Sequence, residues 1–296
     1  TGVGRTALES NTTGEQNTAV GVGALDDNNA DNNTAVGYLA LNLNTTGTSN
    51  TAIGALALDA NTTADDNTAV GRAALSGNTT GTGNTSVGRG SLQVSTTGSA
   101  LTAIGLNALN QNTTGNNNTA VGKDSLINNT TGGDNVAVGL QTLYSATTAT
   151  NNVAVGDSTF YRITTGGNNT GVGTDAGAFI TTGSNNTMLG HDAGNSNSPS
   201  GQITTANNQV VLGDNNISDI YCADTSISSS DSRDKTDVAS FNIGLDWITA
   251  LRPVTYRWDR RTWYGTDAEP YGTPDGSKKR NRLHIGFLAQ EALEVE

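Results

Sequence analysis

The feature that most constrains this chain is a period. The segment Asn-Thr-Ala-Val-Gly, or a close variant, recurs with its Gly at 4, 21, 37, 54, 71, 88, 105, 122, 139, 156, 173 and 190. Every step is 17 residues except one of 16. A unit so short and so rich in Gly and Asn cannot form a helical hairpin. The residue before each Gly is β-branched (Val20, Ile53, Val121), with Leu189 the one exception, and such residues favour strands. The period therefore predicts a mainly β fold in which each repeat is one coil of a parallel β-solenoid. Twelve coils at ~4.8 Å each would make a rod on the order of 58 Å long.

Stacking identical coils aligns like with like. Val, Leu and Asn should each form a ladder, and Asn amides can hydrogen-bond along theirs. Four residues after the Gly comes Leu in nine consecutive copies, Leu8 to Leu143, before the pattern drifts to Phe160, Gly177 and Gly194. Gly supplies positive φ at corners. Along the strand, Thr18 and Val20 share one side and Ala19 the other. We expect the Val and Leu rows to build the core. The Ala face is then small enough for other chains to approach closely, so several chains, three being the expected number, pack along a common axis. A lone coil buries too few aliphatics to offset the ordering of its backbone.

Composition excludes several classes. Formal net charge is −12, which argues against a nucleic-acid binder held by a basic surface. No apolar run approaches the ~18 residues that would insert into a membrane. A single cysteine, Cys222, excludes an intramolecular disulfide framework, and two His leave little for a His-based metal site. The Asp pairs at 26–27 and 65–66 lack the Gly-Gly-x-Gly-x-Asp calcium repeat and read as solvated turns. No cofactor and no metal is expected. Composition also divides the chain near residue 221: residues 1–221 hold five Lys or Arg, and the rest holds ten, with all three Trp.

Asn-Thr-Ala-Val-Gly followed by Ala-Leu resembles the head repeat of trimeric autotransporter adhesins, and similar repeats occur in bacterial and phage fibre proteins. The resemblance covers residues 1–213. It implies a left-handed parallel β-roll packed as a homotrimer, so the partners are two further copies of the chain, with a host cell-surface glycan or receptor as target. The implied setting is extracellular, on a virion tail fibre or a bacterial cell surface.

The repeat fails at 195–201, and a degenerate copy follows at 208–213. Residues 214–229 read as a neck. Beyond them a small α+β domain is expected over 230–296: a helix at 243–251 stopped by Pro253, a strand through Val254, Tyr256 and Trp258, a strand over 283–288, and a helix from 289. The run Ser230-Asp231-Ser232-Arg233-Asp234-Lys235-Thr236-Asp237-Val238 is similar to the start of the intramolecular chaperone domain of endosialidase tail spikes. Leu251-Arg252-Pro253-Val254-Thr255-Tyr256 and Gly286-Phe287-Leu288-Ala289-Gln290-Glu291 follow in the family's order. The resemblance implies a domain that trimerises, helps the preceding fibre fold, and is then removed by self-cleavage through a Ser and a Lys. Ser230 and Lys235 match those two positions.

That chemistry is sound in itself. A serine hydroxyl needs a base to become a nucleophile, and a lysine with a lowered pKa can serve. Burial or the neighbouring Arg233 would lower it, while Asp231 and Asp234 push the other way. Attack by Ser230 on its own carbonyl would close a four-membered ring. Attack on the preceding carbonyl or on another chain avoids this, so the cut lies at or immediately beside Ser230, with Ser229 and Asp231 as its neighbours. The chain is then an enzyme only toward itself.

Two alternatives stay open. The domain could remain uncleaved as a cap on a surface adhesin or spacer fibre, or the Thr rows could bind ice. A glycan-degrading enzyme would need paired carboxylates at a set separation, and the array offers none.

Overall fold

The computed structural model describes residues 1–219 together with Val254–Tyr256, Thr273, Ser277 and His284–Gly286. By internal contacts the chain divides into two units, Thr1–Tyr221 and Cys222–Glu296.

The first unit is the β-solenoid that the period predicts. Its thirteen strands run from β1 (Gly2–Val3) and β2 (Thr18–Val20) to β12 (Thr187–Leu189) and β13 (Val210–Leu212). They form one parallel sheet in strict sequence order. Register follows the repeat: Thr51 pairs with Thr68, Ala52 with Ala69 and Ile53 with Val70. Each coil gives only three residues to the sheet because the Gly that follows turns the chain. At Gly105 φ is +140°, a region closed to side chains, and a Cβ there would collide with the carbonyl of Gly122 in the next coil. Outside the sheet, inter-coil backbone hydrogen bonds continue: Leu58 N–H donates to Ala74 O (3.1 Å) and Thr79 N–H to Thr96 O (2.9 Å). Between β12 and β13 the step lengthens, and Thr181 Oγ1 reaches across 23 residues to Thr204 O.

The core is built from the strand's middle residue and the Leu row. Ala19, Ala52 and Ala120 are fully buried, as are Leu25 and its counterparts through Leu143. The β-branched row faces out instead: Val20 is 38% exposed, Ile53 41% and Val172 43%. This reverses the expected assignment of faces. The coil has room for one large aliphatic row, and Leu reaches it from the far side, so the strand must turn its smallest side chain inward. The Ala face lies inside the coil and cannot receive another chain.

Two exceptions in the Leu row show how tight this fit is. Phe160 takes a Leu position, and the next coil gives up two side chains to hold its ring. A Cβ on Gly171, where other coils have Ala, would lie 2.7 Å from the Phe160 ring, and one on Gly177, where others have Leu, would also collide with it. One coil on, Met188 replaces Ala and Gly194 replaces Leu; there a Cβ would meet Met188 Sδ at 2.9 Å.

Asn ladders are present, in two buried rows. In the first, running from Asn17 to Asn186 and interrupted at Leu101, each side-chain oxygen accepts the backbone N–H of the counterpart one coil on. Asn67 N–H donates to Asn50 Oδ1 (3.1 Å) while Asn50 Nδ2 donates to Ala64 O (2.8 Å). The second row passes amide to amide: Asn61 Nδ2 donates to Asn44 Oδ1 (2.8 Å) and Asn78 Nδ2 to Asn61 Oδ1 (3.0 Å). Its later positions become Ala146, Ile163 and Ile180, all fully buried. A Thr row adds hydroxyl bonds, such as Thr113 Oγ1 to Thr130 O (2.9 Å).

Positive φ is not confined to Gly. The Leu row itself is left-handed, with φ +51° at Leu25, +51° at Leu58 and +53° at Leu143. In the second unit, β14 (Val254–Tyr256) and β15 (His284–Gly286) form an antiparallel pair, Thr255 opposite Ile285. They fall within the two predicted strands. The predicted helices at 243–251 and from 289 lie outside the described residues.

The rows differ in what they tolerate. Asn50→Ala leaves the buried N–H of Asn67 without an acceptor and should cost ~1–3 kcal/mol. Asn61→Ile, which copies the later coils, should cost less. Gly105→Ala should cost more than either, ~3 kcal/mol or above, since strain and collision add. Denaturant unfolding of the three variants checks the order.

Candidate functional site

Two surfaces of the array stand out. The first is the outer face of the sheet. An outward Thr row, replaced by Val at 136, 153 and 210, runs beside a Val or Ile row that ends in Leu189 and Leu212. No strand from β1 to β13 contains a charged residue.

The second is a groove of about 400 Å³ across the coils between Gln141 and Asn195. Its walls come from the positions just after the corner Gly, where the chain leaves the strand. Tyr161 stacks on Tyr144 with ring centroids 5.0 Å apart and planes 10° from parallel. Beside it the Arg162 guanidinium sits 4.6 Å from the centroid of the Phe179 ring. Both pairs link adjacent coils, so each ring is held by its neighbour. Asp175 and Asp192 also line the groove. Asn195, 5% exposed, donates Nδ2 to Asp175 O (3.0 Å) and to Asp192 Oδ1 (2.7 Å), and its own Oδ1 has no partner. His191 Nδ1 lies 3.5 Å from Asp214 Oδ2 and 3.7 Å from Asp192 Oδ2.

Burial, then the charges of Asp192 and Asp157, hold the Asp175 carboxyl above its ordinary value, with His191 pulling it back. Outside the groove, hydrogen bonds from Asn216 hold Asp214 below the usual range.

Sequence reasoning did not single out the groove, although a signal was present. Five aromatic residues lie in 1–219, and four of them (Tyr144, Phe160, Tyr161, Phe179) fall within three consecutive coils. Of the pairs read as solvated turns, Asp65 accepts the N–H of Thr48 (2.6 Å) and its hydroxyl (2.9 Å), capping the neighbouring turn. Ser230 and Lys235, with Ser229 and Asp231, lie outside the described residues. Among the described residues no group of three His, Cys, Asp or Glu is placed to hold a metal ion, and no helix is long and apolar enough to cross a membrane.

Comparison with known families bears on the second unit. Residues 230–295 match the model of the family described as chaperone of endosialidase. The matched stretch covers the run from Ser230 to Val238 and both β14 and β15. No curated protein and no solved structure matched the chain.

An acid whose folded-state pKa is raised keeps its proton longer in the folded chain, so stability falls as pH climbs from 3.8 through the raised value. Asp175→Asn removes that loss. It should melt above the parent near neutral pH, and the gap should close below pH 3.8. Thermal melts of both proteins across that range check it.

Proposed function

We propose that the chain is a homotrimeric extracellular fibre, on a phage tail or a bacterial surface. In this reading residues 1–213 are an adhesive shaft of the trimeric-adhesin head type. Residues 230–296 drive trimerisation and folding and are then released by autoproteolysis. The observation that carries the reading is the order of the parts: a long β-solenoid followed by a segment that matches the endosialidase chaperone family. A stack of coils in which Leu is held left-handed gains its stability only from neighbouring coils, which is the kind of fold that profits from a template.

The outer sheet face supports three copies meeting there. It carries an apolar Val and Ile row beside a mainly Thr row, without charge, repeats along the rod, and so offers the same surface on every copy. Release would follow from Ser230 Oγ attacking the preceding carbonyl, or that of another chain, as Lys235 takes its proton. The C–N bond of that peptide then breaks and Lys235 passes the proton to the departing amine, leaving an ester. Water then resolves the ester.

Intact mass and denaturing gels of the parent, Ser230→Ala and Lys235→Ala test the enzyme half. The parent should lose a fragment that begins at or beside Ser230, and both variants should stay whole. A parent that stays whole while folding as a trimer makes the segment a permanent cap.

Solution mass tests assembly. Outward Ile53→Lys and Ile104→Lys should convert the trimer to monomer without loss of β structure. A monomeric parent would overturn the trimer and leave the face free, as ice binding requires; thermal hysteresis reads that alternative. Binding of the rod to candidate host cells tests adhesion, and a folded rod that binds none would be a spacer.

A further inference from the structure

We propose that the groove lined by Tyr161, Phe179, Asp175, Asp192 and Gln141 binds a neutral hexopyranose oligosaccharide of the gluco type. The inference rests on the reading of the array as an adhesive fibre, and it assigns that adhesion to one place on the rod.

Three observations lead there. The array is made almost wholly of small and polar side chains, yet its aromatics gather on the coils that form the groove. Tyr161 and Phe179 each spend one face on a neighbour, Tyr144 and Arg162, so both rings are fixed before any ligand arrives. Second, the volume of about 400 Å³ falls among small-ligand clefts, which run ~300–1,000 Å³. Third, the polar lining suits sugar hydroxyls. Asp175 and Asp192 accept, and Gln141 and Ser158 both donate and accept.

The ring chemistry narrows the ligand. A gluco-configured pyranose has equatorial hydroxyls and axial C–H bonds, so it presents apolar patches to an aromatic ring and hydroxyls to the walls. Charge narrows it further. Of the charged residues that line the groove, Asp175 and Asp192 outnumber Arg162, whose guanidinium is engaged over Phe179, so an anionic sugar meets net repulsion.

The test is calorimetric titration of the whole chain with three probes: a glucose oligomer, an N-acetylglucosamine oligomer and a sialic acid oligomer. At least one neutral oligomer should bind more tightly than the sialic acid oligomer. Tyr161→Ala and Phe179→Ala should each weaken it about tenfold, while Tyr38→Ala, an exposed aromatic on a distant coil, should not. Ring-proton shifts of Tyr161 in the parent on adding the neutral oligomer give a readout that no variant's folding can spoil.

Failure of both neutral oligomers to bind, preference for the sialic acid oligomer, or binding untouched by both groove variants would overturn the proposal. Cell binding measured in parallel separates it from the wider reading. A rod that adheres to cells yet binds no neutral oligomer loses the groove and keeps the adhesion. One that binds the oligomer but no cell does the reverse.

Discussion

Stacking at one hydrogen-bond spacing makes every residue of the array the neighbour of its own counterpart, and the rest of the structure follows from that translation. Whatever a position holds, it holds in a row. A row of carboxylates would place like charges side by side along the rod, whereas a row of amides carries a donor and an acceptor at each step. The buried polar rows are accordingly mostly Asn, with these amides joining each coil to the next. Charge is thin over residues 1–221, with five basic and fifteen acidic residues.

How much of this could be read from the sequence depended on the kind of information each feature carries. The period fixed the coil, and the Asn and Leu rows followed from alignment of like residues. The facing of the strand did not follow. Thr-Ala-Val alternates equally well either way round, and size alone favours burying Val over Ala. What decides it is Leu25 and its counterparts, which reach the core from the opposite side of the coil and leave room only for Ala. Nor could a left-handed Leu be foreseen, because intrinsic preference gives that conformation to Gly and Asn. For the candidate sites, Ser230 and Lys235 were legible only through resemblance to a family, since a Ser and a Lys five apart carry no geometry. The groove was missed because reading for repeats discards the positions at which a repeat varies.

Those varying positions share a logic. Where Phe160 enters the core, Gly171 and Gly177 give way, and where Met188 enters, Gly194 does. Core volume is conserved across neighbouring coils rather than within one. The same stretch carries Tyr144, Tyr161 and Phe179, so the coils that depart from the repeat inside are also those that depart from it outside.

The left-handed leucines give the array a particular way of coming together. A non-Gly residue at φ near +50° costs roughly 1–2 kcal/mol, and each coil bears that cost before its amides and its core have a neighbour to meet. The first coil to form is therefore uphill, and every later one adds to an existing face. Order advances as a front from a rare nucleus, in the manner of a zipper. A break at one interior coil divides the rod into two lengths, and the shorter of them has less to hold it.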